Sequence, residues 1–149
     1  MNIKARSIVV ITSIHALQNE QPSIMNFFDK IPVIQKDLII YSPESIMNYT
    51  TIKKIATRET IMIYQEDFWP LNIALKPVVQ NTLHKKQYDI LIHYNNDNTA
   101  RNTYLISKSI SAPVKISNIF SNKKLFSIII QSKTMFFEEV MKYVQKIIW

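Results

Sequence analysis

The chain has 149 residues with 47% hydrophobic and 19% charged side chains, a formal net charge of +7, no cysteine and no glycine. Size and apolar content suit one globular domain with a real core and exclude a disordered chain, and the missing cysteine excludes disulfides and thiolate metal sites. The missing glycine excludes phosphate-cradling loops, dinucleotide fingerprints and nucleophile elbows, because each needs a backbone that turns at positive φ or meets a ligand without a Cβ in the way.

Taken in order, the elements alternate between short β-branched apolar runs and segments of helical spacing. Lys4 and Arg6 precede Ile8-Val9-Val10-Ile11 in the outline of a signal peptide. The run is short, His15 interrupts it, and no small-x-small site follows, so it reads as a buried first strand over 8–14. Pro22 then opens a helix over 23–31 with Ile24, Phe27, Phe28 and Ile31 on one stripe, and Pro32 ends it. Residues 37–41 form strand two. Ser42 as N-cap and Pro43 at the first helical position open a second helix, in which Ile46, Tyr49, Ile52 and Ala56 share the buried face. Strand three covers 60–64, and an irregular stretch with Phe68-Trp69-Pro70 follows it. A helix starts at Pro77 and runs to about 86. Strand four covers 88–93, and Asn95-Asn96-Asp97-Asn98 turns the chain into a helix over 99–110. Strands five and six cover 113–117 and 126–131, and a last helix covers 135–148. No apolar run approaches the roughly 18 residues of a membrane span, which places the chain in the cytoplasm.

Strands apolar on both faces and separated by helices specify a single α/β domain over 1–149. It is a three-layer α/β/α sandwich on a mostly parallel, Rossmann-like sheet. The link 118–125 is too short for a crossover helix, so strands five and six are expected to pair antiparallel at one edge. With no glycine, the turns fall to Asn. Asn48, Asn95, Asn96, Asn118 and Asn122 are expected to supply positive φ.

In such sheets a ligand binds beyond the carboxyl ends of the strands, where strand order reverses. Strand order 3-2-1-4-5 would put strands one and four on either side of that point. His15 and His93 would then face each other across a crevice, and with Glu66 or Asp67 they would make an acid-base or metal constellation. The opposing reading is that strand ends are polar simply because they meet water. Trp69 similarly either presents a site or caps the sheet with a bulky ring. His84, beside Lys85 and Lys86, reads as solvated. Glu138 and Glu139 with Lys142 and Lys146 read as helix-dipole and helical-spacing pairs. Neither a metal nor a cofactor is expected, dinucleotides included.

Charge is uneven. Residues 1–75 carry seven Lys/Arg and seven Asp/Glu, whereas 76–149 carry eleven and four. Arg101, Lys108, Lys115, Lys123, Lys124 and Lys133 form the candidate surface for nucleic acid or another anion, with Phe120 and Phe126 beside it. Lysines also protect edge strands from aggregation. The excess of Lys over Arg, fifteen to three, with 26 Ile and no Gly, matches A+T-driven codon usage. Specific nucleic-acid sites favour Arg.

Several segments together resemble a small bacterial α/β family known only as a domain of unknown function. These are Asp67-Phe68-Trp69, Tyr88-Asp89-Ile90-Leu91-Ile92, Ser107-Lys108, Pro113-Val114-Lys115-Ile116 and Lys124-Leu125-Phe126-Ser127-Ile128-Ile129-Ile130. That family has glycines where this chain has Pro70 and Ser117. The resemblance implies the α/β fold and no established activity. A more distant likeness, over 88–116, is to the amino-terminal domain of lipopolysaccharide heptosyltransferases, enzymes that need a second nucleotide-sugar domain. A complete fold without recognisable chemistry reads first as a non-catalytic accessory domain that binds a protein partner. The alternatives are an RNA- or ribosome-associated basic protein, and an enzyme with a site at the strand ends.

Overall fold

A computed structural model describes residues 5–43, 59–119, 125–131 and 135–148. The helix expected after Pro43 therefore lies outside the described residues, as do Asn48, Phe120, Asn122, Lys123, Lys124 and Lys133. The elements are β1 (Ser7–Ser13), α1 (Ile14–Lys30), β2 (Gln35–Ser42), β3 (Glu59–Tyr64), α2 (Pro77–His84), β4 (Ile90–Tyr94), α3 (Ala100–Ser109), β5 (Val114–Ser117), β6 (Ile128–Ile129) and α4 (Phe136–Ile148).

The six strands among the described residues form one sheet in the order β3-β2-β1-β4-β5-β6, and every pairing between them is parallel. Strand β1 sits at the centre, with β2 and β4 as neighbours, which explains its run of apolar residues. Ile8 and Val10 face one core and Val9 and Ile11 the other, as the two-residue period of a strand requires. The first core lies under α1 and α4 and contains Phe27, Phe28, Phe136, Phe137 and Val140. The second lies under α2 and α3 and contains Tyr41, Phe68, Leu83, Leu91 and Ile106. From β1 the chain steps one way to β2. From β4 it steps the other way to β5. Right-handed crossovers then force α1 and α3 onto opposite faces.

Three expectations are corrected. Strand β6 runs parallel to β5, with Ile116 opposite Ile128 and Ser117 opposite Ile129. No crossover helix is needed because the distance to be retraced is short. Four residues of β5 rise about 13 Å, whereas the ten-residue link has a reach of roughly 33 Å. Helix α1 begins at Ile14 rather than after Pro22. The Ser13 hydroxyl caps it at once, accepting from the Ala16 N–H at 3.1 Å, and Pro22 only bends it, next to a non-helical Glu20. Asn95, Asn96 and Asn118 are not at positive φ. Among the described residues only Leu71 (φ 63°) and Asn72 (φ 53°) are. The asparagines turn the chain through their side chains instead. Asn95 Oδ1 accepts from the Asp97 N–H at 2.8 Å. The Asn118 amide both accepts from the Asn95 N–H at 3.0 Å and donates to the Asn95 carbonyl at 2.9 Å.

Candidate functional site

Strand order reverses between β1 and β4, so the crevice lies at their carboxyl ends. Strand β1 ends in Ser13, which is also the N-cap of α1, and β4 leads into the 95–99 turn. That turn brings Asp97 back over the crevice. Ser13 Oγ–H donates to its carboxylate at 2.5 Å, and the Thr99 N–H donates at 2.8 Å, joined by the Thr99 hydroxyl. Burial works against the charged form of Asp97. The hydrogen bonds from Ser13 and Thr99, with the charge of His15, outweigh it and hold the carboxyl below its ordinary range. A carboxylate of the chain itself therefore sits beside the cap of α1, where an anionic ligand of a doubly wound sheet would otherwise lie. Asp97 was legible beforehand only as a turn residue.

The two histidines do not meet across this crevice. His15 is exposed on the first turn of α1. His93 is 1% exposed on the α3 side of the sheet. Its Nδ1 lies 2.8 Å from Ser117 Oγ and its Nε2 2.7 Å from Thr103 Oγ1. The Thr103 hydroxyl donates to the Ala100 carbonyl at 3.1 Å, so Nε2–H donates to Thr103 and Nδ1 accepts from Ser117. Phe126 stacks on the ring at 5.1 Å and 12°. Burial alone lowers the imidazole pKa from 6.5 to about 3. His93 is thus a neutral bolt between β4, β5 and α3, with both nitrogens occupied. It faces into the core because its position alternates with Ile92, which faces the α1 side.

Glu66 is exposed, and Asp67 closes a short turn by accepting from the Tyr64 N–H at 2.8 Å. Of the anion-surface residues that are described, Arg101 Nε donates to the Asn72 carbonyl at 2.9 Å. Lys115 Nζ donates to the Ser107 carbonyl at 2.9 Å, and burial lowers its pKa. Lys108 is exposed. His84 is exposed, and Lys142 pairs with Glu139 at 3.8 Å. A buried carboxylate, Asp37, accepts from Tyr88 Oη–H at 2.6 Å at the amino-terminal end of the sheet, far from the crevice. Among the described residues, no helix is long and apolar enough to cross a membrane.

The conspicuous surface is the loop between β3 and α2. Phe68, not Trp69, caps the sheet: it is buried and meets Tyr41 edge-on at 5.4 Å. Phe68 and Leu75 bridge antiparallel, and the Trp69 N–H donates to the Ala74 carbonyl at 2.9 Å. The tip is clamped from below. Asn72 Oδ1 accepts from Gln65 Nε2 at 2.8 Å and from Asn102 Nδ2 at 3.0 Å, while its carbonyl takes the Arg101 bond. Tyr41 Oη–H in turn donates to Gln65. Burial, and then the charge of Asp97, push the Tyr41 phenol up, so it stays a donor. On this rigid base stand Trp69 (46% exposed), Leu71 (88%), Ile73 (64%) and, on the first turn of α2, Val78 (79%). They are four of the seven exposed large apolar side chains among the described residues, gathered within ten positions. Leu71 is held at φ 63°, where a Cβ costs about 1–2 kcal/mol. Lys76 Nζ lies 5.5 Å from the Trp69 ring centre.

The fold and this surface define a doubly wound, all-parallel α/β domain with a clamped apolar tip on the carboxyl edge of its sheet. No family model matches the chain, and no curated protein or solved structure matches it.

Proposed function

We propose that this is a non-catalytic binding domain that engages a protein partner through the loop of residues 65–78. The observation that carries the reading is Leu71. It is a bulky apolar residue held at positive φ by a network of side-chain bonds, yet it points almost wholly into water. Strain of this kind persists where the surroundings over-determine it, and it clusters at functional sites. Four exposed apolar side chains within ten positions, a Trp among them, have the composition of a binding hot spot. The crevice supports the same reading, since Asp97 occupies it and His93 is spent on Ser117 and Thr103.

A photo-crosslinking amino acid placed at position 71 tests this in the native cell. Protein adducts are expected there, and none from the same group at the exposed position 18 of α1. Adducts at neither position would refute the proposal. RNA adducts that disappear at high salt would replace it with the nucleic-acid reading.

A further inference from the structure

We infer that the partner of the 65–78 loop is a second copy of this chain, docked about a two-fold axis through the apolar tip; this rests on the binding reading above. The first argument is charge. Two copies carrying +7 each repel, so charge favours a meeting place where both signs are present. The loop is such a place. Glu66 and Asp67 lie on its entry arm, Lys76 on its exit arm, and Arg101 is tied to its tip. The Phe68–Leu75 bridge holds the two arms side by side. A two-fold rotation lays the acidic arm of one copy on the basic arm of the other, twice over. A uniformly acidic partner would oppose Glu66, and a uniformly basic one would oppose Lys76 and Arg101, so self-pairing satisfies both arms.

The second argument is area. At their exposures, Trp69, Leu71, Ile73 and Val78 leave on the order of several hundred Å² of surface along one ten-residue stretch. A standard interface takes about 800 Å² per partner, somewhat over half of it non-polar. The tip supplies that centre and the charged arms supply the rim. The clamp on Asn72 fixes the loop beforehand, so docking costs little ordering entropy.

Sedimentation equilibrium of the full chain, from about 1 to 200 µM, tests the inference. A monomer–dimer equilibrium is expected within that range. Leu71→Asp, which touches no core, should weaken it at least tenfold with an unchanged circular dichroism spectrum. Glu66→Lys and Lys76→Glu should each weaken it as well. An equimolar mixture of those two variants should associate more tightly than either alone, because each then meets its opposite charge. A chain that stays monomeric throughout, a dimer indifferent to Leu71→Asp, or a mixture no tighter than its components would each overturn it. A monomeric chain whose position-71 crosslinker captures a different protein overturns the second-copy inference and leaves the binding reading standing. Absence of both dimer and adduct overturns the two together.

Discussion

His93 should make this protein unusually sensitive to mild acid. Its pKa is about 3 in the fold and 6.5 as an ordinary imidazole. Above pH 6.5 both folded and unfolded chains hold it neutral, and it adds no pH dependence. Below that value the unfolded chain takes up a proton that the folded chain refuses, so stability falls as pH falls, until about pH 3. Within the window each pH unit is worth close to a factor of ten in the folding equilibrium. Going from pH 7.5 to 4.5 therefore removes about 3 kcal/mol, a large part of the 5–15 kcal/mol of a typical domain. The cause is burial: the ring is 1% exposed, stacked under the apolar Phe126 ring, and its polar partners, Ser117 and Thr103, are neutral hydroxyls with no charge to offset that of an imidazolium. Urea unfolding of the wild type and of His93→Gln at pH 7.5, 6.0 and 4.5 measures the effect. Gln keeps a donor and an acceptor but does not titrate, so its curve should be flatter by about 3 kcal/mol over that range, although its absolute stability is lower. His15 and His84 are exposed and present in both proteins, so they cancel. Parallel curves would refute the reasoning.

Three further outcomes follow from the same geometry. Leu71→Gly should raise the stability of the chain, measured at monomeric dilution, by about 1 kcal/mol through relief of the left-handed backbone; equal or lower stability in urea would contradict the strain argument. Asn72→Ala should cost about 1–2 kcal/mol, because Gln65 and Asn102 lose their shared acceptor; a neutral result would show that the clamp does not hold the tip. Asp97→Asn should destabilise the fold at neutral pH. Because the folded pKa of Asp97 is depressed, that difference should shrink as pH falls through the carboxylate range, and NMR titration of the Asp97 carboxyl should show the low value directly.

The central strands were readable because two-sided burial leaves runs such as Ile8-Val9-Val10-Ile11 and Leu38-Ile39-Ile40 that no surface element tolerates. The first half of α1 was not readable. Gln18-Asn19-Glu20-Gln21 is an unbroken polar run with no helical period, and Pro22 reads as a boundary unless a cap upstream has already started the helix. Link length alone does not set the direction of β6, since only two residue pairs are joined. His93 stands out in the sequence for its position at a strand end, but its role depends on which face it takes, and a strand end offers no hydrophobic periodicity to decide that. Leu71 carries no turn signal of its own. Only Pro70 and Asn72 on either side hinted that the backbone there departs from the ordinary.

The way the tip is held also separates its exposed side chains from folding. Gln65, Asn102 and Arg101 grip main chain and one amide, whereas the side chains at 71, 73 and 78 take no part in the core. Those three positions can be rewritten without disturbing the sheet beneath them. The same scaffold can thus carry a different exposed surface after a few point changes, as a tool holder accepts new bits.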